Sequence, residues 1–274
     1  MIKRDSKMVL REYNEEKFPS VLRKINDVMS RGEKSLSRVL SLTLDELRFS
    51  PGNKKIDVIF DGNEPVKILS PFAYGGNQSF ISNKIMSYCR EEELTIVDLG
   101  SGYGRNLFWL WLHGGPKHAK YVACEFTDIG RKCTKKLATL ATDMNIETYH
   151  FDFYKPDIKS IIKESKNILF FTCHSIEQIP FISQDFFDEL LISDANVKCI
   201  HFEPVGWQIR KSCSLSAMVG SDERHAEKND YNRNLWEILD SLKSQGKIDL
   251  DEVTPEIIGI NPINSTSLIS WHKI

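Results

Sequence analysis

The sequence predicts a doubly wound α/β sheet, mostly parallel and finished by an antiparallel hairpin, with a helical and β-hairpin extension in front of it. Three observations predict this. From Leu94 onward, short apolar runs alternate with stretches of helical periodicity, the pattern of a parallel sheet with helices on both faces. The first apolar run ends in an acid and a glycine turn, "VDLGSGYG", Val97 to Gly104, placed where ligands of open α/β sheets bind. The chain closes on "PEIIGINPINSTSLISWHKI", two strand-like runs joined by a short Asn-Pro loop. No crossover helix fits in that loop, so the two runs must pair antiparallel.

The elements follow in order. "KFPSVLRKINDVMSRGEKSLSRVLSLTLDELRF" reads as two helices broken near Gly32, and "KKIDVIFDGNEPVKIL" as two strands around a turn at Asp61-Gly62-Asn63. "SPFAYGGNQSF" reads as a loop leading into a helix over roughly 78–91. Residues 1–77 are therefore expected to be an accessory region and 78–274 the main domain. Strands fit at 94–99, 120–125, 147–151, 167–173 and 197–202. Ile129, Cys133, Leu137, Leu140 and Met144 share one helical face, as do Tyr231, Leu235, Ile238, Leu239 and Leu242. The polar stretch near 205–229, with Arg210, Lys211, Arg224 and His225, reads as an insertion for substrate recognition.

Bulk properties narrow the function. The 274 residues suit one large α/β domain with an extension or two small domains. Net charge is −2, so no overall basic field draws in nucleic acid. Of the six cysteines none forms a CxxC pair, and no His/Cys cluster has zinc spacing. No metal site is expected, and the cysteines fit a reducing compartment. The start lacks the apolar core of a signal peptide, and no stretch approaches the ~20 apolar residues of a membrane span. A cytoplasmic protein is the expectation.

The glycine turn discriminates between ligands. A dinucleotide fingerprint needs G-x-G-x-x-G. Here Gly100, Gly102 and Gly104 bring the third glycine one residue early, and Arg105 stands where that fold needs glycine. Asp98 would repel a pyrophosphate and would suit a ligand carrying an amino group. No Gly-Lys-Ser/Thr follows, which excludes a Walker loop. An NAD-dependent enzyme is a distant rival.

"VDLGSGYG" resembles motif I, D/E-x-G-x-G-x-G, of class I S-adenosylmethionine (SAM) dependent methyltransferases, a Rossmann-like family with a seven-stranded sheet whose last strand is inserted antiparallel. The resemblance covers roughly 78–274. It implies SAM as cofactor and S-adenosylhomocysteine as product. By the same resemblance Asp98 would hold the methionine amino group, and Gly100, Ser101, Gly102, Tyr103 and Gly104 would supply contacts to the amino acid and ribose. Glu125 would take both ribose hydroxyls, Asp152 the adenine N6, and Phe153 the ring. Asn106, Phe126 and Cys173 complete the set. Tyr74, in the Gly-Gly loop, would fold across the pocket as a lid hinged at Gly75 and Gly76.

The reacting groups are expected where the fourth core strand ends in "FFTCHSIEQIP". His174 is the best candidate for a general base, because an imidazole titrates near neutrality. Glu177 would orient it or bind substrate, and Glu203, past the end of the next strand, is a second catalytic candidate. No NPPY-type motif follows the fourth strand, which lowers amino methylation of DNA bases. The expected acceptor is a small polar molecule or a glycan-type hydroxyl, which makes the chain an O-methyltransferase. The alternatives are N-methylation of a protein side chain, peptide or small amine, and a non-catalytic SAM-binding module. Nucleic acid is disfavoured as a partner, and the oligomeric state is open.

Overall fold

The computed structural model describes residues 4–44, 54–162, 165–191, 194–212 and 221–274. Within them nine strands form one sheet. They are β1 (Lys55–Phe60), β2 (Val66–Leu69), β3 (Leu94–Leu99), β4 (Lys120–Glu125), β5 (Ile146–His150), β6 (Asn167–Cys173), β7 (Asn196–Glu203), β8 (Ile248–Gly259) and β9 (Thr266–Lys273). Their order is β2-β1-β8-β9-β7-β6-β3-β4-β5. The five strands from β7 to β5 are parallel. β9 is inserted antiparallel between β7 and β8. The expected sheet is thus present, and the N-terminal β1–β2 hairpin lengthens it by pairing Ile59 and Phe60 with β8. The chain turns to opposite sides after β3, toward β4 on one flank and β6 on the other. That reversal opens a crevice at the carboxyl ends of the strands.

Side chains alternate across the sheet, as a strand's period of two requires. Val97 and Leu99 of β3 and Val122 and Cys124 of β4 enter one core, which includes Phe186, Leu239 and Trp271. Leu94, Ile96, Tyr121 and Ala123 enter the other. Helices carry the crossovers: α5 (Arg105–Leu112), α6 (Asp128–Ala138), α7 (Ile158–Ile162), α8 (Gln184–Leu191) and, before the final hairpin, α11 (Leu235–Ser244). The N-terminal helices belong to the second core. α1 (Ser6–Val9) runs into a π-helical segment (Leu10–Lys17) and then α2 (Phe18–Ser30), with α3 (Leu36–Thr43) following. Phe18, Val21, Ile25, Leu36, Val39 and Leu40 pack with α5 and the sheet.

One expectation changes here. The stretch read as a loop at 70–80 is the first half of α4 (Ser70–Ser87), which crosses the boundary expected at 77. Proline at the start of a helix is tolerated, because its missing N–H is unpaired there anyway. The buried stripe of Ser70, Ala73, Gln78, Ile81, Ser82 and Ile85 is small and polar at its N-terminal end, so hydrophobic periodicity misses it. Gly75 and Gly76 lie in the helix interior, and a Cβ added at either meets nothing within 4 Å. Gly75→Ala should therefore stabilise the fold by about 0.4–1 kcal/mol, seen as a raised denaturation midpoint. A hinge at this position would give lost function instead.

The 205–229 stretch forms α9 (Gly206–Ser212) and α10 (Ser221–Asn229), and 213–220 lie outside the described residues. Arg210 bonds Glu256 of β8 and Asp222 of α10, and Lys211 bonds Glu223. Two of the cations expected to meet substrate are thus paired within the protein. Among the described residues no helix is long and apolar enough to cross a membrane.

Candidate functional site

The site is built on the turn after β3. The Gly100 and Ser101 N–H groups both donate to the Cys124 carbonyl, at 2.8 and 2.9 Å, which fastens the turn to β4. Gly100 and Gly102 have φ of +80° and +59°, a region that costs an L-residue energy. A Cβ at Gly100 would sit 2.4 Å from the Ser175 Cβ, and one at Gly102 would meet the Phe18 ring at 3.3 Å. Gly100→Ala should cost about 2–4 kcal/mol through strain and overpacking, read as a lowered melting temperature. Gly102→Val should push on Phe18 and hence on the N-terminal segment.

Two acids flank the turn. Glu125, at the end of β4, accepts the Gly102 N–H on Oε2 at 2.8 Å. Its Oε1 accepts the Thr127 N–H at 2.8 Å and the Thr127 hydroxyl at 2.6 Å. Burial raises its pKa, and these bonds oppose the rise. Asp98 is buried, and among the described residues neither of its carboxylate oxygens has a partner. Burial raises its pKa well above the usual range, and the neighbouring charges of Glu125 and Glu203 add to this. An unpaired buried carboxylate is costly, and a cationic donor that reached it through the turn would offset that cost. The buried Ser101 hydroxyl is also unpartnered.

A pocket lies over the turn. Gly100, Gly102, Glu125, Phe126 and Thr127 form its base, and Asp152, Phe153 and Tyr154 one side. Asp152 accepts the Tyr154 N–H at 2.9 Å, while Phe153 is fixed against Phe151 and Phe186 at centroid distances of 4.9 and 5.3 Å.

The roof comes from Ser6, Val9, Tyr13 and Phe18. The Phe18 N–H donates to the Tyr13 carbonyl, five residues back. Val9, Tyr13 and Phe18 are four and five residues apart, and such spacing shares a face where the winding follows the π-helix's i→i+5 hydrogen bonds. In an α-helix Phe18 would point away from Val9. The π-helical winding is therefore what brings all three side chains to the pocket. Asn14 Oδ1 accepts the Ile129 N–H at 3.0 Å, which ties the roof to the start of α6.

His174, Ser175, Gln178 and Ile179 also line the pocket. His174 has φ +52°, a conformation that costs on the order of 1–3 kcal/mol and clusters at functional sites. Its N–H donates to the Phe202 carbonyl at 2.9 Å. Its Nδ1 lies 2.9 Å from Glu177 Oε2 and its Nε2 2.8 Å from the Thr266 hydroxyl. Since the carboxylate only accepts, Nδ1 carries the proton, and Nε2 of the neutral ring accepts from Thr266. Burial pushes the imidazole pKa down, yet Glu177 and, less, Glu203 prevail and raise it above its ordinary value.

The pocket thus gathers Gly100, Gly102, Glu125, Phe126, Asp152, Phe153 and His174 among the expected residues, but not the rest. Glu203 is fully buried and accepts the N–H groups of Ser175, Ile176 and Glu177, each at 3.1 Å. It braces the loop that carries His174 and does not line the pocket, where its expected catalytic role would place it. Burial raises its pKa to about 7. Tyr103 is packed in the second core, 6.2 Å from the Phe18 ring, and accepts the Thr43 hydroxyl at 3.3 Å. Tyr74 sits on α4, and Asn106 in the first turn of α5. Cys173 packs against the second core, and burial keeps its thiol protonated. None of these four lines the pocket, nor do Asp98, Ser101, Gly104 and Glu177. The N-terminal roof, Thr127 and Thr266 were not anticipated. A 9/13/18 spacing matches neither helical nor strand periodicity, and it was the only trace the roof left in the sequence. Among the described residues no cluster of three metal-ligating side chains occurs.

No protein-family model matches the chain, and no curated protein matches its sequence. Solved structures do match. Magnesium protoporphyrin IX methyltransferase from Synechocystis PCC 6803, with S-adenosylhomocysteine bound, superimposes at a TM-score of 0.52 with 10% identity, over 98% of this chain and 100% of that one. Geranyl diphosphate C-methyltransferase from Streptomyces coelicolor A3(2) gives 0.49 at 11% identity, over 72% and 79%.

Proposed function

We propose, for a chain that has the fold of class I SAM-dependent methyltransferases, that it is a SAM-dependent methyltransferase acting on a hydroxyl of an uncharged polar acceptor. Asp98, with two unpartnered buried oxygens, suits the cofactor's amino group. Glu125, Asp152 and Phe153 suit its ribose and adenine, and the turn donates from its backbone. When bound, SAM supplies a methyl group on a sulfonium, already activated for displacement.

The observation that carries the acceptor assignment is the His174–Glu177 pair at a pocket with no lysine or arginine among its described lining residues. An anionic acceptor would find no countercharge there. A hydroxyl needs its proton removed as it attacks. His174 Nε2 is the acceptor for that proton once the ring turns from the Thr266 hydroxyl to the hydroxyl of a substrate in the pocket. Glu177 holds the ring in this tautomer and stabilises the imidazolium that results. The N-terminal roof excludes water, which would otherwise dilute these interactions.

Incubation of the protein with SAM and panels of sugars, small alcohols, amines and peptides, followed by mass spectrometry of products, tests the assignment. Methylated hydroxyls are expected. Methylation confined to amines would overturn the acceptor class, and cofactor binding without any product would favour a binding module.

A further inference from the structure

We propose that Arg4 is a positioning residue: by seating on Gln178 it couples closure of the N-terminal roof to the hydrogen bonding of the His174–Glu177 pair. The functional meaning of this coupling rests on His174 as the base, while the coupling itself stands on geometry.

Arg4 is buried, and its guanidinium bonds Gln178 Oε1 and, at 2.5 Å, Glu12 Oε2. It lies 5.3 Å from the Tyr231 ring centroid, and its main-chain N–H donates to Asp230 at 2.8 Å. Arg4 is therefore anchored on the connection between α10 and α11, apart from the Asn14–Ile129 contact. Gln178 lines the pocket and donates through Nε2 to Glu177 Oε1 at 2.6 Å. Glu177 uses its other oxygen to accept from His174 Nδ1 at 2.9 Å and from Asn264 at 3.2 Å.

Donor and acceptor chemistry fixes the direction of every link. Arginine only donates and a carboxylate only accepts. Gln178 must then turn its oxygen to Arg4 and its NH₂ to Glu177. Remove Arg4 and that orientation loses its cause, so Glu177 loses an ordered donor on Oε1. Such chains strengthen one another inside a low-dielectric site. Because Arg4 immediately precedes the roof residues Ser6, Val9 and Tyr13, a raised roof takes Arg4 off Gln178. The base is then fully ordered only when the pocket is covered.

The groups that face this pair are few. His174 feels the carboxylates of Glu177 and Glu203, and Glu177 lies within electrostatic reach of the Tyr13 and Tyr231 phenols. Loss of the Arg4 charge and of the Gln178 donor leaves Glu177 a stronger partner for imidazolium, so the His174 titration should move upward.

NMR titration of the His174 ring in the full-length protein tests this without any acceptor. In Arg4→Met the midpoint should rise by about half a pH unit. Gln178→Leu, which cuts the chain at its second link, should raise it similarly. Lys7→Gln removes a charge from the same exposed segment and should leave the midpoint at the wild-type value. A midpoint unmoved in folded Gln178→Leu would overturn the proposal, because Arg4 would then act, if at all, without the amide. So would equal shifts in Arg4→Met and Lys7→Gln. Calorimetry with S-adenosylhomocysteine on the same samples separates the two readings. Failure of that ligand to bind counts against the methyltransferase assignment, whereas an unmoved titration counts against the relay alone.

Discussion

Replacing His174 with alanine should lower turnover by roughly 10²–10⁴-fold, with affinity for S-adenosylhomocysteine nearly unchanged. His174 lines the pocket and bonds Glu177 and Thr266 rather than Asp98 or Glu125, so its loss removes proton transfer and leaves those two acids in place. The pH dependence carries the sign. A base must be neutral, so the wild-type rate should rise with pH through the His174 pKa and then level off. Glu177 holds that pKa above the ordinary imidazole value, against burial, and the rise should be centred above 6.5. Stability runs the other way. The folded pKa is raised, so the His174–Glu177 contribution is complete below the unfolded value of about 6.5 and is lost as pH climbs through the folded one. Activity should therefore appear over the window in which this stabilisation fades. His174→Asn separates fold from chemistry, because asparagine tolerates the left-handed backbone at φ +52° but cannot take the proton. A folded Asn variant at near-wild-type turnover would remove His174 from the mechanism.

The second large effect belongs to Glu125. Glu125→Ala should weaken S-adenosylhomocysteine binding by about 2–4 kcal/mol, which is roughly 30- to 1000-fold in Kd. Part of this is contact with the ribose diol. Part is preorganisation, because the same carboxylate holds the Gly102 N–H and both donors of Thr127, and Thr127 in turn caps α6 through the Gly130 N–H. A 2′-deoxy analogue should bind poorly to the wild type and lose little more in the variant. Full, independent losses from the two changes would place the ribose contact elsewhere.

The frame of this fold was legible because it rests on periodicity. The apolar runs around Ile96, Val122 and Phe170 lie in strands buried on both faces, and the short Asn261-Pro262 connection left antiparallel pairing as the only solution for the last two strands. Acids at strand ends, Glu125 and Asp152, were legible for the same reason, since the end of a parallel strand fixes their level in the crevice. What failed has a physical cause too. The sequence "SPFAYGGN" carries turn residues, yet packing of Ala73 and Gln78 holds it helical. Glu203 reads as a polar group past a strand end, and nothing local says whether such a carboxylate meets substrate or three backbone N–H groups. Tyr103 sits inside the glycine turn but points into the core with Phe18. Most of all, the roof depends on π-helical winding between Leu10 and Lys17, for which neither propensity nor the usual spacings give a signal.

The proposed function requires the crevice after β3 to be a SAM site. Isothermal titration calorimetry of the purified chain with S-adenosylhomocysteine, and with NAD as the competing ligand class, tests it most directly. One saturable site for S-adenosylhomocysteine, weakened in Asp98→Ala because the unpaired carboxylate is lost, and no heat of binding for NAD are expected. Binding of NAD, or no binding of S-adenosylhomocysteine to a folded wild-type protein, would contradict it.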